Sequence, residues 1–380
     1  MRSSTRAVSG LSQPPAHCAL LLRALADPRS LGHLGPAEWD LLVRVARRAR
    51  LHGILHARLA ARDAICAVPD RALAHLESGA AVARYRLQLA LLEQHHLARV
   101  LAPLGAPLVL LKGGAYAAQE LPFAVGRPLN DLDFMVPAAQ LERVETALRQ
   151  AGWHSEVDDP YDERYYREWS HEVPPLVGPG RALEVDLHHT ILPPTSRLRP
   201  DAARLFADAK PLPGSPFRVL APVDQVLHAA VHLMQDIDTS ERLRDLVDID
   251  GLLRCFGARP RFAADLLAHA AHHGLQRPLW YAVHFAREWL DTPLDTGLLR
   301  CLEECAPREP ARTCMHVLIT ATVFPMHPDR GRTPTRYLAW QLLRMRAMWM
   351  RMPAWLLVRH VASKLGRKLR MQRQATSTAG

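Results

Sequence analysis

The hydrophobic positions divide the chain into three textures. From about Pro15 to Leu104 apolar residues recur at helical spacing. Leu20, Leu21, Leu22 and Leu25 open the pattern, Trp39, Leu41, Leu42, Val45 and Ala46 continue it, and a long helix is expected within Ala72 to Leu101. The texture changes at Pro107. Pro107-Leu-Val-Leu-Leu111 is a short apolar run ending in Lys112-Gly113-Gly114, read as a buried strand entering a tight turn, with a helix from Ala115 to Leu121. Asp131-Leu-Asp-Phe-Met-Val136 alternates acidic and apolar residues and stops at Pro137, which predicts a second strand. A helix over Ala138 to Ala151, a strand near Trp153 to Val157 and an alternating strand from Arg181 to His188 complete this middle part. From Pro222 helices return, clearest over Val223 to Leu233, Leu243 to Cys255, Phe262 to Gly274 and Leu279 to Leu290.

These patterns predict an α+β protein in which a small mixed-sheet core is flanked by helical regions on both sides. The expected divisions are a helical region over 1–104, an α/β core over 105–195, a second helical region over 196–330 and a basic, aromatic-rich tail over 331–380.

Alternation places Asp131 and Asp133 on one face of their strand, with Leu132 and Phe134 on the other. Two acids on one face repel unless a positive charge sits between them, and a divalent cation with oxygen ligands meets that need. A lone Asp-x-Asp is as readily a solvated edge strand. Here it is accompanied by Gly113-Gly114, where backbone N–H groups can approach a phosphate, and by Asp186, which shares its strand face with Glu184 and His188. Two acid-bearing strands and a glycine turn are what metal-assisted phosphoryl or nucleotidyl transfer uses.

The segments Leu111-Lys-Gly-Gly114, Arg127-Pro-Leu-Asn-Asp-Leu-Asp-Phe-Met-Val136 and Glu184-Val-Asp-Leu-His188 resemble the uncharacterised nucleotidyltransferase family of the DNA polymerase β-like superfamily. The likeness is specific over Pro107 to Val136, fair over His171 to His189, and extends to His228, His232 and Arg242 to Asp248. It implies a nucleotidyltransferase core in which Gly113 and Gly114 bind the nucleotide phosphates, Asp131 and Asp133 bind Mg²⁺ or Mn²⁺, and Asp186 completes the site. Lys112 and Arg127 are candidate phosphate contacts, and His188 is a candidate for touching substrate or orienting a metal-binding acid. The sixteen residues between Gly114 and Asp131 exceed the usual superfamily gap but suit this family. The implied activity moves NMP from an NTP to an acceptor, with release of pyrophosphate. The acceptor stays open among small molecule, peptide, protein and RNA. Two rivals share parts of the pattern: a degenerate nucleotidyltransferase fold serving as a binding or regulatory module, and a glycosyltransferase, which would need neither the Gly-Gly turn nor Asp186.

Charge adds one feature. The net charge is +10, yet Arg330 to Gly380 holds twelve Lys or Arg and no acid, leaving 36 basic against 38 acidic residues before it. The tail interleaves these with Trp340, Trp349 and Trp355, so three roles compete: a packed helix with a solvated basic face, ranked first, then an arm for an anionic partner, then an interfacial helix. Six cysteines without zinc spacing, no secretory h-region and no transmembrane-length apolar run lead to the expectation of a cytoplasmic protein with reduced thiols. The pairs His228/His232 and His272/His273 are expected to be core or hydrogen-bonded histidines.

Overall fold

The computed structural model describes residues 13–360 except 158 and 239. Four helices precede the sheet: α1 (Ala19–Ala26), α2 (Pro36–Arg48), α3 (His52–Ala60) and α4 (Asp70–Leu101). The longest, α4, buries Ala72, Leu76, Ala83, Ala90, Leu97 and Leu101 along one stripe, as the apolar spacing requires. It leads through a short 3₁₀ turn to Gly105, whose positive φ of 65° releases the chain towards the sheet.

The sheet contains β1 (Leu108–Leu110), β2 (Asp131–Met135), β3 (His154–Ser155), β4 (Leu176–Val177), β5 (Glu184–His188), β6 (Lys210–Pro211) and β7 (Phe217–Val219), ordered β3-β4-β5-β2-β1-β7-β6. Three short helices lie between these strands in sequence: α5 (Lys112–Ala118), α6 (Leu141–Gln150) and α7 (Pro160–Trp169); α8 (Ala202–Asp208) precedes β6. The central pair is parallel, with Asp131 opposite Glu184 and Asp133 opposite Asp186. Strand β1 runs antiparallel to β2 and parallel to β7. Helices α9 (Pro222–Gln235), α10 (Leu243–Phe256), α11 (Phe262–His272), α12 (Gln276–Leu290), α13 (Thr296–Glu304), α14 (Ala311–Val323) and α15 (Pro334–Arg351) follow.

The α+β class is as the sequence pattern predicts, but three details differ. Gly113 and Gly114 lie inside the first turn of α5, which starts at Lys112 and not at Ala115. The segment expected to be wholly helical after residue 195 contributes the hairpin β6–β7, which extends the sheet beyond β1. Helix α7 and strand β4 occupy segments for which no element was expected.

The tail's described part packs, as ranked first. Thr333 caps α15 by accepting from the Arg336 amide, and the helix buries Ala339, Leu343 and Ala347 while Leu338, Met345 and Trp349 are exposed. The rest of the basic tail, 361–380, lies outside the described residues. No helix among the described residues is long and apolar enough to cross a membrane.

The helical arm meets the sheet through glycine. Gly126, just before the loop into β2, has φ of 79°, and a Cβ there would strike the Gly53 carbonyl; a Cβ on Gly53 would in turn lie 2.9 Å from the Gly79 carbonyl oxygen. Backbone is thus in contact with backbone where α3, α4 and this loop converge. Gly126→Ala combines a left-handed φ with that clash and is expected to destabilise the protein by roughly 1–3 kcal/mol, read as a lower urea midpoint. An unchanged midpoint would show that this junction yields freely.

Candidate active site

Strand alternation and the parallel register together put Asp131, Asp133, Glu184, Asp186 and His188 on one face of the β2–β5 pair. The opposite face carries Leu132, Phe134, Val185 and Leu187, all fully buried, which anchors the acid-bearing pair to the core. Asp133 is only 2 % exposed. Burial opposes its ionisation, but Lys112 Nζ at 2.6 Å and His188 Nε2 at 3.0 Å, both on Oδ1, overcome that and hold its carboxyl well below the ordinary range. Since an ionised carboxylate can only accept, His188 carries its proton on Nε2 and donates it. Lys112 reaches back from the start of α5, where its own φ is 44°.

The other acids lack that compensation. Burial, and then the charges of Asp133, Glu172 and Asp131, push Asp186 well above the ordinary carboxylate range. Asp131, exposed at the start of β2, is pushed the same way by partial desolvation and by Asp133. Ligand atoms of Asp133, Asp186 and His188 lie within 4.8 Å of one another. Asp133 in this group is neutralised and Asp186 is left in excess, and Asp131 joins them at the cleft wall, an oxygen-rich set that fits a divalent cation of the Mg²⁺ or Mn²⁺ kind. His188 fits an orienting role, because its Nε2–H is committed to Asp133.

These acids form one wall of a cleft of about 340 Å³. Lys112, Gly113, Arg127, Asp131, Asp133 and Asp186 all line it. Two other residues singled out from the sequence do not. Gly114 faces the core, where a Cβ would lie 2.7 Å from Leu132 Cδ1, and His188 is buried behind Asp133. Gly113 allows Arg127 to cross close over the helix start, because a Cβ there would strike the Arg127 guanidinium.

The facing wall comes from α9 and α10. Arg127 donates from Nε and Nη2 to both oxygens of Asp248 at 2.9–3.0 Å, with both side chains nearly buried. Its fork is filled by protein. Arg242 is likewise shared between Asp236 and Asp245. Arg244 is different: its Nη1 is buried without a partner, and its nearest acid is Asp245 at 3.8 Å. Burial and then repulsion from Arg127 depress its pKa, which marks a guanidinium short of counter-charge. Gln235 also lines the cleft with both amide atoms buried and unpartnered.

Sequence reasoning missed Arg244, Gln235 and Glu172. Glu172 lines the cleft, bridges to the His188 backbone and brings Oε2 within 3.5 Å of His188 Nε2. Spacing on α10 could not tell Arg244 from Arg242, since only tertiary pairing separates them. Of the histidine pairs, His228 and His273 are buried, His272 is exposed but hydrogen-bonded to Asp201, and His232 lines the cleft beside Asp236 and Asp245. His228 is buried and held down at about 3 by burial and by Lys112, and His273 Nδ1 accepts from the Asp201 amide.

With this geometry in place, comparison with known proteins is informative. The family model described as uncharacterised nucleotidyltransferase matches residues 35–291, about two thirds of the chain, and the chain belongs to that family. No curated protein matches it. Family membership thus gives the coarse class of transferase, and the match takes in β1, β2, β5, α9 and α10, which build the cleft.

The uneven charge compensation predicts opposite effects for two conservative variants. A carboxyl raised in the folded state contributes stability below its unfolded pKa and loses it as pH rises through the folded value. Metal-free Asp186→Asn should therefore be more stable than wild type at about pH 7.5, by about 1 kcal/mol or more, and the gap should close below about pH 4. Asp133→Asn should be destabilised at the same neutral pH by roughly 1–3 kcal/mol, because Lys112 and His188 lose their partner. Urea unfolding in a chelator reads both, and equal losses in the two variants would contradict the account.

Proposed function

We propose that the protein is a metal-dependent nucleotidyltransferase that moves NMP from an NTP to an acceptor and releases pyrophosphate. The observation that carries this reading is the register of Asp133 with Asp186, which gathers the Asp131, Asp133 and Asp186 carboxylates against a cleft whose opposite wall holds an undercompensated arginine. Asp131, Asp133 and Asp186 would hold Mg²⁺ or Mn²⁺, which supplies charge neutralisation for the triphosphate and a more acidic acceptor hydroxyl.

The chain's own groups account for the remaining requirements. Gly113 lines the cleft at the β1–α5 junction, where its backbone N–H can approach a phosphate, and Arg244 supplies a guanidinium for the phosphate oxygens. Lys112 and Arg127, candidate phosphate contacts by resemblance, are assigned here to holding Asp133 and Asp248. In the transfer, an acceptor oxygen forms a bond to the α-phosphorus while the bond from that phosphorus to the bridging oxygen breaks. Pyrophosphate leaves with the electron pair, and the acceptor proton passes to the Glu172 carboxylate at the cleft wall. A sugar transferase using Asp131 and Asp133 alone would give no reason for Asp186 to stand in register with them.

The test requires no knowledge of the acceptor. Non-hydrolysable NTP with Mg²⁺ should raise the unfolding temperature, by the equivalent of about 2.7 kcal/mol at a hundredfold excess over Kd. Neither component alone should do so to that extent, and Asp131→Asn/Asp133→Asn should lose the effect. Arg244→Gln should weaken it about tenfold or more in apparent Kd. Absence of metal-dependent stabilisation by any NTP in folded wild type would sink the proposal in favour of a degenerate binding module.

A further inference from the structure

The cleft holds a second undercompensated guanidinium, at a different wall from Arg244. Arg351 ends α15, lines the cleft, and has its Nε buried without a hydrogen-bond partner; among the described residues it forms no ion pair. Its position is fixed by backbone and not by its own charge. Thr195 Oγ1 donates to the Arg351 carbonyl at 2.8 Å, and the Arg197 amide and Ser196 hydroxyl donate to the Met350 carbonyl. The chain segment that follows β5 thus holds the end of α15 against the cleft.

The two arginines serve different ends of the site. Arg244 acts on Asp131 and Arg127, beside the metal-binding acids and Gly113. Arg351 is tied to the segment just before Glu172, since the Thr195 hydroxyl that donates to its carbonyl also lies 3.5 Å from the Trp169 carbonyl. A cation held at a cleft wall without a protein acid is matched by an anion from outside, and a guanidinium fork favours a carboxylate or phosphate. Arg351 also lies beyond residue 291, where the family match ends, so the feature belongs to this chain's own C-terminal helix.

We infer that Arg351 receives a phosphate or carboxylate oxyanion carried by the acceptor. This rests on the nucleotidyltransferase reading, which leaves the Glu172 side of the cleft for the acceptor.

The experiment uses the full chain saturated with Mg²⁺ and a non-hydrolysable NTP. Inorganic phosphate, succinate and neutral glycerol are titrated separately, with the unfolding temperature as readout. Phosphate or succinate should add a saturable shift that glycerol does not, and which of the two does so identifies the oxyanion. Arg351→Gln should weaken that anion at least about tenfold while keeping the nucleotide shift. Arg351→Lys, which keeps the charge without the fork, should give an intermediate loss and serves if the Gln variant is unstable. The inference is overturned if the anion shift survives in Arg351→Gln, if no anion shifts the wild type, or if the nucleotide shift falls instead. If wild type shows no nucleotide shift at all, the enzymatic reading fails separately, and anion titration with Mg²⁺ alone still reads the dependence on Arg351.

Discussion

The parallel pairing of β2 with β5 places Asp133 directly opposite Asp186, and with Asp131 and Glu184 beside them it puts four carboxylates on one sheet face. Like charges this close, with Asp133 buried and Asp186 partly buried, cannot all be ionised without compensation. The protein supplies compensation for one. Lys112 and His188 both converge on Asp133, while Asp131 and Asp186 are left to share whatever cation arrives. This unequal treatment distinguishes the face from a structural ion-pair cluster, in which every acid would have its own base.

Much of the surrounding fold serves to hold that face in place. The glycine contact between α3, α4 and Gly126 brings the helical arm onto the loop that carries Arg127. Arg127 then locks to Asp248 on α10 with both carboxylate oxygens, and α10 presents Arg244 to the cleft. A chain of nearly buried contacts therefore connects the helical arm, the sheet and the helical region beyond it. Removing Arg127 would leave Asp248 buried and unpaired, a change that costs about 3–5 kcal/mol in comparable buried pairs.

The chemical centre was legible because strand alternation is a local rule. Asp131-x-Asp133 and Glu184-x-Asp186-x-His188 each fix which side chains share a face, and no tertiary knowledge is needed for that step. The helices from Pro222 were legible through their spacing. The hairpin β6–β7 was not, since Lys210–Pro211 and Phe217–Val219 are too short for any periodicity and are strands only because β1 offers an open edge. Gly114, read as half of a phosphate turn, lies in the first turn of α5, and its missing Cβ makes room for Leu132. Neither could spacing show that Arg242 is paired and Arg244 is not, or that Arg351 returns to a cleft formed by residues more than a hundred positions earlier.

The central claim is that Asp131, Asp133 and Asp186 bind a divalent cation together with a nucleotide. The most direct measurement is a crystal structure with Mn²⁺ and a non-hydrolysable NTP, using manganese anomalous scattering to locate the ion independently of the protein. The account predicts an anomalous peak bridging those carboxylates and the triphosphate, with Lys112 and His188 still on Asp133. Nucleotide bound elsewhere, or manganese found only at other carboxylates, would contradict it.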